Sequence, residues 1–149
     1  MRVMLRISLV VTMLGMLLSA SSGSAQEDRA KVLVGKWEGT VEWAGGAGSA
    51  GLGDPNRTLI IESVTQKDGK WVGTGKYGIT GKGLGKVDIE IEDSGNRTAI
   101  TFATSPTTAV RLSLTGPKEL TGTTTLPGTV GRTTQARGND RPLKLEKKD

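Results

Sequence analysis

The sequence predicts an all-β protein: a single antiparallel up-and-down barrel of about eight strands, with a short N-terminal helix. Three observations carry this. Runs of alternating apolar and polar residues recur with turn signals roughly every ten residues, the spacing of a sandwich or barrel. The chain holds 22 Gly with many Thr and little helical periodicity, which disfavours helices. A unit of bulky residue, any residue, Gly, Thr returns three times: Trp37-Glu38-Gly39-Thr40, Trp71-Val72-Gly73-Thr74 and Leu120-Thr121-Gly122-Thr123. Short connections favour hairpin order, and closure removes the exposed edges an open sheet would carry.

Residues 1–25 read as a secretory leader. Arg2 and Arg6 precede an apolar stretch from Ile7 to Leu18, and Gly23-Ser24-Ala25 offers small residues for cleavage before Gln26. The apolar run is shorter than the ~20 residues that span a bilayer. The expected mature domain is therefore residues 26–149, in the periplasm or outside the cell, with no membrane span after cleavage. Losing Arg2 and Arg6 lowers the formal charge from +5 to +3, so nothing in the balance calls for a nucleic-acid partner.

Gln26 to Leu33 suits about two helical turns, with Glu27 and Asp28 near the favourable end of the dipole. The first strand, 36–43, sets Trp37, Gly39, Val41 and Trp43 on one face and Lys36, Glu38, Thr40 and Glu42 on the other. Ala44 to Pro55 is rich in Gly and Ala and reads as a long loop. The second strand is 57–66, and Lys67-Asp68-Gly69 is a tight hairpin signal. The third, 70–79, puts Trp71, Gly73, Gly75, Tyr77 and Ile79 on one face; Gly there marks a bend, a bulge or a close approach. Further strands follow at 86–92, 97–104, 108–115, 120–126 and 142–146, with a short additional strand possible at 129–136.

The absence of Cys excludes disulfides and thiol catalysis. The absence of His removes the commonest general base and the usual zinc ligand sets. An enzyme would have to use carboxylates, Lys, Tyr77 or hydroxyls. The acidic row Asp88, Glu90, Glu92 and Asp93 alternates with Val87, Ile89 and Ile91, as on the solvent face of any strand. Gly73 to Gly78 fits G-x-G-x-x-G, but no helix or βαβ unit follows. Gly81 to Lys86 resembles a phosphate loop, yet Val87 stands where Ser or Thr is needed. Asn56-Arg57-Thr58 and Asn96-Arg97-Thr98 are sequons that also suit turns. No enzymatic activity, metal or cofactor is expected.

Gly35-Lys36-Trp37, preceded by a short helix and followed by about eight strands in hairpin order, resembles the start of the calycin group: lipocalins, fatty-acid-binding proteins and avidins. That resemblance implies a ligand-binding barrel. It also implies a basic residue near the last strand packed on Trp37, for which Arg141, Lys144 and Lys147 are the candidates; cation–π stacking is the physical reason. There is no Thr-Asp-Tyr segment and no disulfide of the lipocalin kind.

Within this frame Gly35, Trp37, Gly39, Gly73 and Gly75 read as structural. Trp37 plugs the closed end, and the repeated unit reads as side chains packing over Gly kinks in a curved sheet. Trp71, Tyr77, Trp43 and Phe102 are the candidates to line a cavity, because Gly73 and Gly75 could leave space beside Trp71 and Tyr77. The expected function is binding of a small apolar or amphipathic molecule in the interior. The alternative is an envelope interaction or inhibitor protein that acts through its loops over a solid core.

Overall fold

A computed structural model of the chain describes residues 22–42, 53–125 and 140–149, with side chains from Glu27 onward. Residues 1–21 of the expected leader, Trp43, most of the 44–55 loop and the 129–136 segment lie outside the described residues. A helix, α1 (Ser22–Leu33), precedes eight strands: β1 (Gly35–Val41), β2 (Asn56–Lys67), β3 (Lys70–Ile79), β4 (Gly85–Asp93), β5 (Thr98–Ser105), β6 (Thr108–Gly116), β7 (Glu119–Thr125) and β8 (Asp140–Lys148). Each strand pairs antiparallel with the next, and β8 pairs with β1 to close the barrel. Strand bounds differ from the sequence expectation by one or two residues. The helix begins four residues earlier than Gln26, so its first turn carries no acid and Glu27 and Asp28 fall in the second.

Closure depends on backbones approaching where a side chain would stop them. A Cβ on Gly39 would overlap the carbonyl oxygen of Lys144; one on Gly75 would overlap that of Ile60; one on Gly122 would overlap that of Arg111. The three contacts share one geometry. Each Gly sits opposite an apolar partner (Leu145, Ile61, Leu112), and the oxygen belongs to the residue before that partner. Between Gly73 and Gly75 the facing strand β2 shifts register after Ile61, leaving Glu62 as the extra residue of a bulge. Gly73 of the second repeated unit, opposite Val64, meets the Ser63 carbonyl in the same way, so the Gly of each bulky-x-Gly-Thr unit allows a close backbone approach in a curved wall.

The alternating residues of each strand meet in the interior. Strand tilt makes the hydrogen-bonded rows climb as they pass round the wall. One row runs Trp71, Ile91, Ile100, Leu112, Gly122, Leu143, Val41. Eleven large side chains, among them Trp37, Leu59, Ile100, Leu112 and Leu145, are under 2% exposed. A void able to admit water beside them would leave part of their surface accessible. The space around them is therefore closely packed.

Helix α1 closes the end where β1 begins. The Trp37 indole Nε1 donates to the Leu33 carbonyl at 2.8 Å. Lys147, the register partner of Trp37, donates from Nζ to the Val32 carbonyl at 2.6 Å and holds its charge 5.5 Å from the Trp37 ring centroid. Two carbonyls that a helix C-terminus leaves unsatisfied are so capped, one of them by a cation at the negative end of the dipole. Lys147, of the three basic candidates, is the one that packs on Trp37. Gly35 turns the chain from helix to strand at φ +136°, and a Cβ there would lie 2.9 Å from Lys147 Cε. Arg29 ties the helix to the β4–β5 turn through Asp93 Oδ1 at 3.3 Å and through the Gly95 carbonyl.

Two outcomes are expected in urea unfolding. Gly39→Ala, Gly75→Ala and Gly122→Ala each lose about 1–3 kcal/mol or more, as overpacked sites do. Gly83→Ala, which has open space around it, stays within about 0.5 kcal/mol. Lys147→Met loses about 1–3 kcal/mol from the carbonyl bond and the ring contact, and its effect is less than additive with Trp37→Phe because both cap one helix end.

Candidate functional site

The long connections, between Val41 and Asn56 and between Thr125 and Asp140, leave the barrel at the end opposite α1. The β3–β4 and β5–β6 turns share that end, which is the mouth. The interior face of the strands beneath it is set by period-2 alternation. Arg57 shares its face with Leu59 and Ile61, Thr124 with Leu120, and Arg141 with Leu143 and Leu145.

One hydrogen-bonded row near the mouth runs Phe102, Val110, Thr124, Arg141. Across from it, Tyr77 meets Phe102 edge to face, with centroids 5.1 Å apart at 63°. Phe102, Val110 and Thr124 are buried, and Tyr77 is 9% exposed. The layer is therefore apolar with a few polar groups set into it. The Tyr77 hydroxyl and the Arg141 Nε are both enclosed, and neither makes a hydrogen bond of ordinary geometry among the described residues. Leaving a buried donor unpaired costs about 1–3 kcal/mol, more when it is charged.

Burial pushes the Tyr77 phenol above its usual range, while the Arg57 guanidinium acts in the opposite direction. Arg57 acts on the phenol both through its charge and through a side-chain contact. Its own Nη1 donates to the Asn56 carbonyl at 3.0 Å and to the Asp54 carbonyl, which anchors it to the start of β2. The carboxylates flanking the mouth strands are bonded locally, and Asp54 also feels the charges of Lys82 and Arg57. Asp54 accepts from the Asn56 amide and side chain at 2.8 Å, and Asp140 accepts from Thr125 Oγ1 at 2.6 Å.

The predicted cavity residues separate into two groups. Tyr77 and Phe102 come together at the mouth. Trp71 does not join them: it lies near the helix-capped end of β3, opposite Ile91, and is half-buried. Six residues of strand put it about 20 Å from Tyr77. The space expected beside Gly73 and Gly75 is occupied. A Cβ on Gly73 would lie 2.9 Å from the Ser63 carbonyl and 3.5 Å from Ile89, and Gly75 abuts Ile60. Both glycines serve the wall's curvature and open no room for a ligand.

Sequence reasoning missed Arg57 and Thr124 and gave Arg141 another role. Their alternation with Leu59, Leu120 and Leu143 was the signal that each points inward. The acids Asp88, Glu90 and Glu92 are exposed on the outer face of β4. Asp93 is drawn in, its side chain 3% exposed, and is engaged by Arg29. Of the sequon residues, Asn56 opens β2 and Asn96 lies exposed in the β4–β5 turn. Concavities on the outer wall include a groove lined by Arg97, Arg111, Ser113 and Thr121, in which Arg97 Nε and Nη2 both donate to Ser113 Oγ.

No family model, curated protein or solved structure matches the chain.

Tyr77 is the single tyrosine, so its titration can be followed by absorbance without assignment. Its folded-state pKa is raised, so the neutral phenol is the form the fold favours. That contribution is complete below the ordinary tyrosine range and is lost as pH rises through the folded value. Native protein is expected to show tyrosinate absorbance at higher pH than urea-unfolded protein, and denaturant stability is expected to fall over that interval.

Proposed function

We propose that the chain is an exported, non-enzymatic barrel of calycin-like build that carries out recognition at its mouth, over a solid core. The carrying observation is the packing of the interior. Eleven large side chains leave no water-sized void beside them, so the depth of the barrel offers a ligand no room. One end is shut by α1, Trp37 and Lys147. Both long connections open at the other end, where rigid scaffolds commonly present binding loops. The Gly35-x-Trp37 start with Lys147 over the indole supports the calycin-like reading, and the leader-like residues 1–25 support export. A specific observation favours a second reading, a small amphipathic molecule: the ring pair Tyr77–Phe102 reaches the mouth and leaves Tyr77 partly accessible. Such a molecule would seat on that pair and not below it.

Photo-crosslinking side chains placed at Thr107, on the mouth turn, and at Lys118, on the opposite turn, test the reading in cells that export the protein. Discrete adducts from position 107 and none from position 118 are expected. Adducts from position 118 alone, or none from either, would overturn recognition at the mouth.

A further inference from the structure

We propose that the outer wall binds a phosphate or sulfate group, carried on a small polar molecule, in the groove over β6 and β7. This site goes beyond recognition at the mouth: it lies on the outside of the barrel and begins at the β4–β5 turn beside α1. The groove holds about 670 Å³, within the ~300–1,000 Å³ of small-molecule sites. Four of its residues form a regular patch. Arg111 and Ser113 alternate with the buried Val110 and Leu112 on β6, so they face outward. Their register partners on β7 are Thr123 and Thr121. Strand geometry sets the patch at about 5 Å by 7 Å between Cα atoms. Arg97, just before β5, reaches across to it: Nε and Nη2 donate to Ser113 Oγ at 3.2 and 2.9 Å.

The groove is rich in donors, and no carboxylate lines it. Ser113 Oγ accepts two bonds from Arg97, so what remains to it is its own O–H, a donor. Arg111 has no ion pair or hydrogen bond among the described residues, and neither hydroxyl of Thr121 and Thr123 has one. Glu119, the one acid of β7, is engaged by Lys144 at 2.8 Å and by Thr115 at 2.9 Å. Glu90 and Glu92 on β4 are separated from Arg111 and Ser113 by Thr101 and Ala99, two strand spacings or about 10 Å. Two guanidinium forks and an oriented hydroxyl therefore converge without an anion of the chain's own. They arrive from β6 and from the β4–β5 turn, with the β7 hydroxyls on the third side. A tetrahedral oxyanion offers oxygens in as many directions, whereas a carboxylate offers two in one plane. The volume exceeds what a bare anion needs, and Thr121 and Thr123 can both donate to and accept from the hydroxyls of a sugar-like body. A soluble phosphate ester and a phospholipid headgroup share this chemistry.

The test follows the backbone amides of residues 113, 121 and 123 in nitrogen-15-labelled protein, signals that every variant below retains. The probes are inorganic phosphate, sulfate, acetate, glucose and glucose 6-phosphate. Saturable movement at millimolar phosphate or sulfate is expected, with glucose 6-phosphate at least threefold tighter and no saturation by glucose. Arg111→Gln is expected to weaken the response at least tenfold and Ser113→Ala at least threefold, with urea midpoints close to that of the unaltered protein because both changes lie on the outer surface. Lys82→Gln, on the exposed β3–β4 turn, is expected to leave it unchanged. Movement that stays linear in salt, or an equal response in Arg111→Gln, would overturn the proposal. Acetate binding as tightly as sulfate would overturn the choice of a tetrahedral group, and glucose 6-phosphate no tighter than phosphate would overturn the larger ligand. Flotation with phosphatidylglycerol vesicles separates the two sources. Binding that Arg111→Gln abolishes supports a headgroup; a glucose 6-phosphate response without flotation supports a soluble ester.

Discussion

The barrel depends on the place where Trp37, Leu33 and Lys147 meet. A helix end buried against a sheet would leave carbonyls unbonded, a cost that would set helix against strand. Here the indole N–H and the ammonium take up two of those carbonyls, and the ring fills the closed end of the interior. Lys147 is held in turn by its register with Trp37 and by a Gly35 with no Cβ to obstruct it. Helix, first strand and last strand are therefore fixed to one another at the seam where the barrel closes.

Curvature and packing follow from that seam. Gly39, opposite Leu145 on β8, lets β1 lie close against the last strand, and Gly75 and Gly122 repeat the contact elsewhere on the wall. Close backbones draw the wall in, and Leu59, Ile100, Leu112 and Leu145 are then enough to fill it. The same tightening has a functional consequence. Glycine on an inner face can mean space for a ligand or space for a neighbouring backbone; in this barrel the backbone takes it. The proposed recognition therefore falls to the mouth, where the interior row ends in Thr124 and Arg141 and the aromatic pair ends at Tyr77.

Much of this was legible in the residues. Alternation placed all eight strands, the Asp68-Gly69 hairpin and the inward face of each strand, because a half-buried strand cannot exchange its two faces. The Gly35-x-Trp37 start led to the closed end, and Lys147 was among the residues expected on the indole. The position of Trp71 relative to Tyr77 was not legible, since a shared face says nothing about height along a barrel. The filled space beside Gly73 and Gly75 was hidden for another reason: sequence shows a missing side chain but not what moves into its place. Arg57 and Thr124 were readable from parity. Their types alone mark no site, because an inward Arg or Thr stands out only once the apolar layer around it is known.

Hydrogen exchange of the Trp37 indole N–H tests the central claim most directly, since that proton lies at the junction of helix, core and seam. The expected result is exchange only through global unfolding, with a protection free energy equal to the unfolding free energy from denaturant. Exchange at the rate of an exposed indole in the folded protein would contradict the account, because the closed end would then open independently of the barrel.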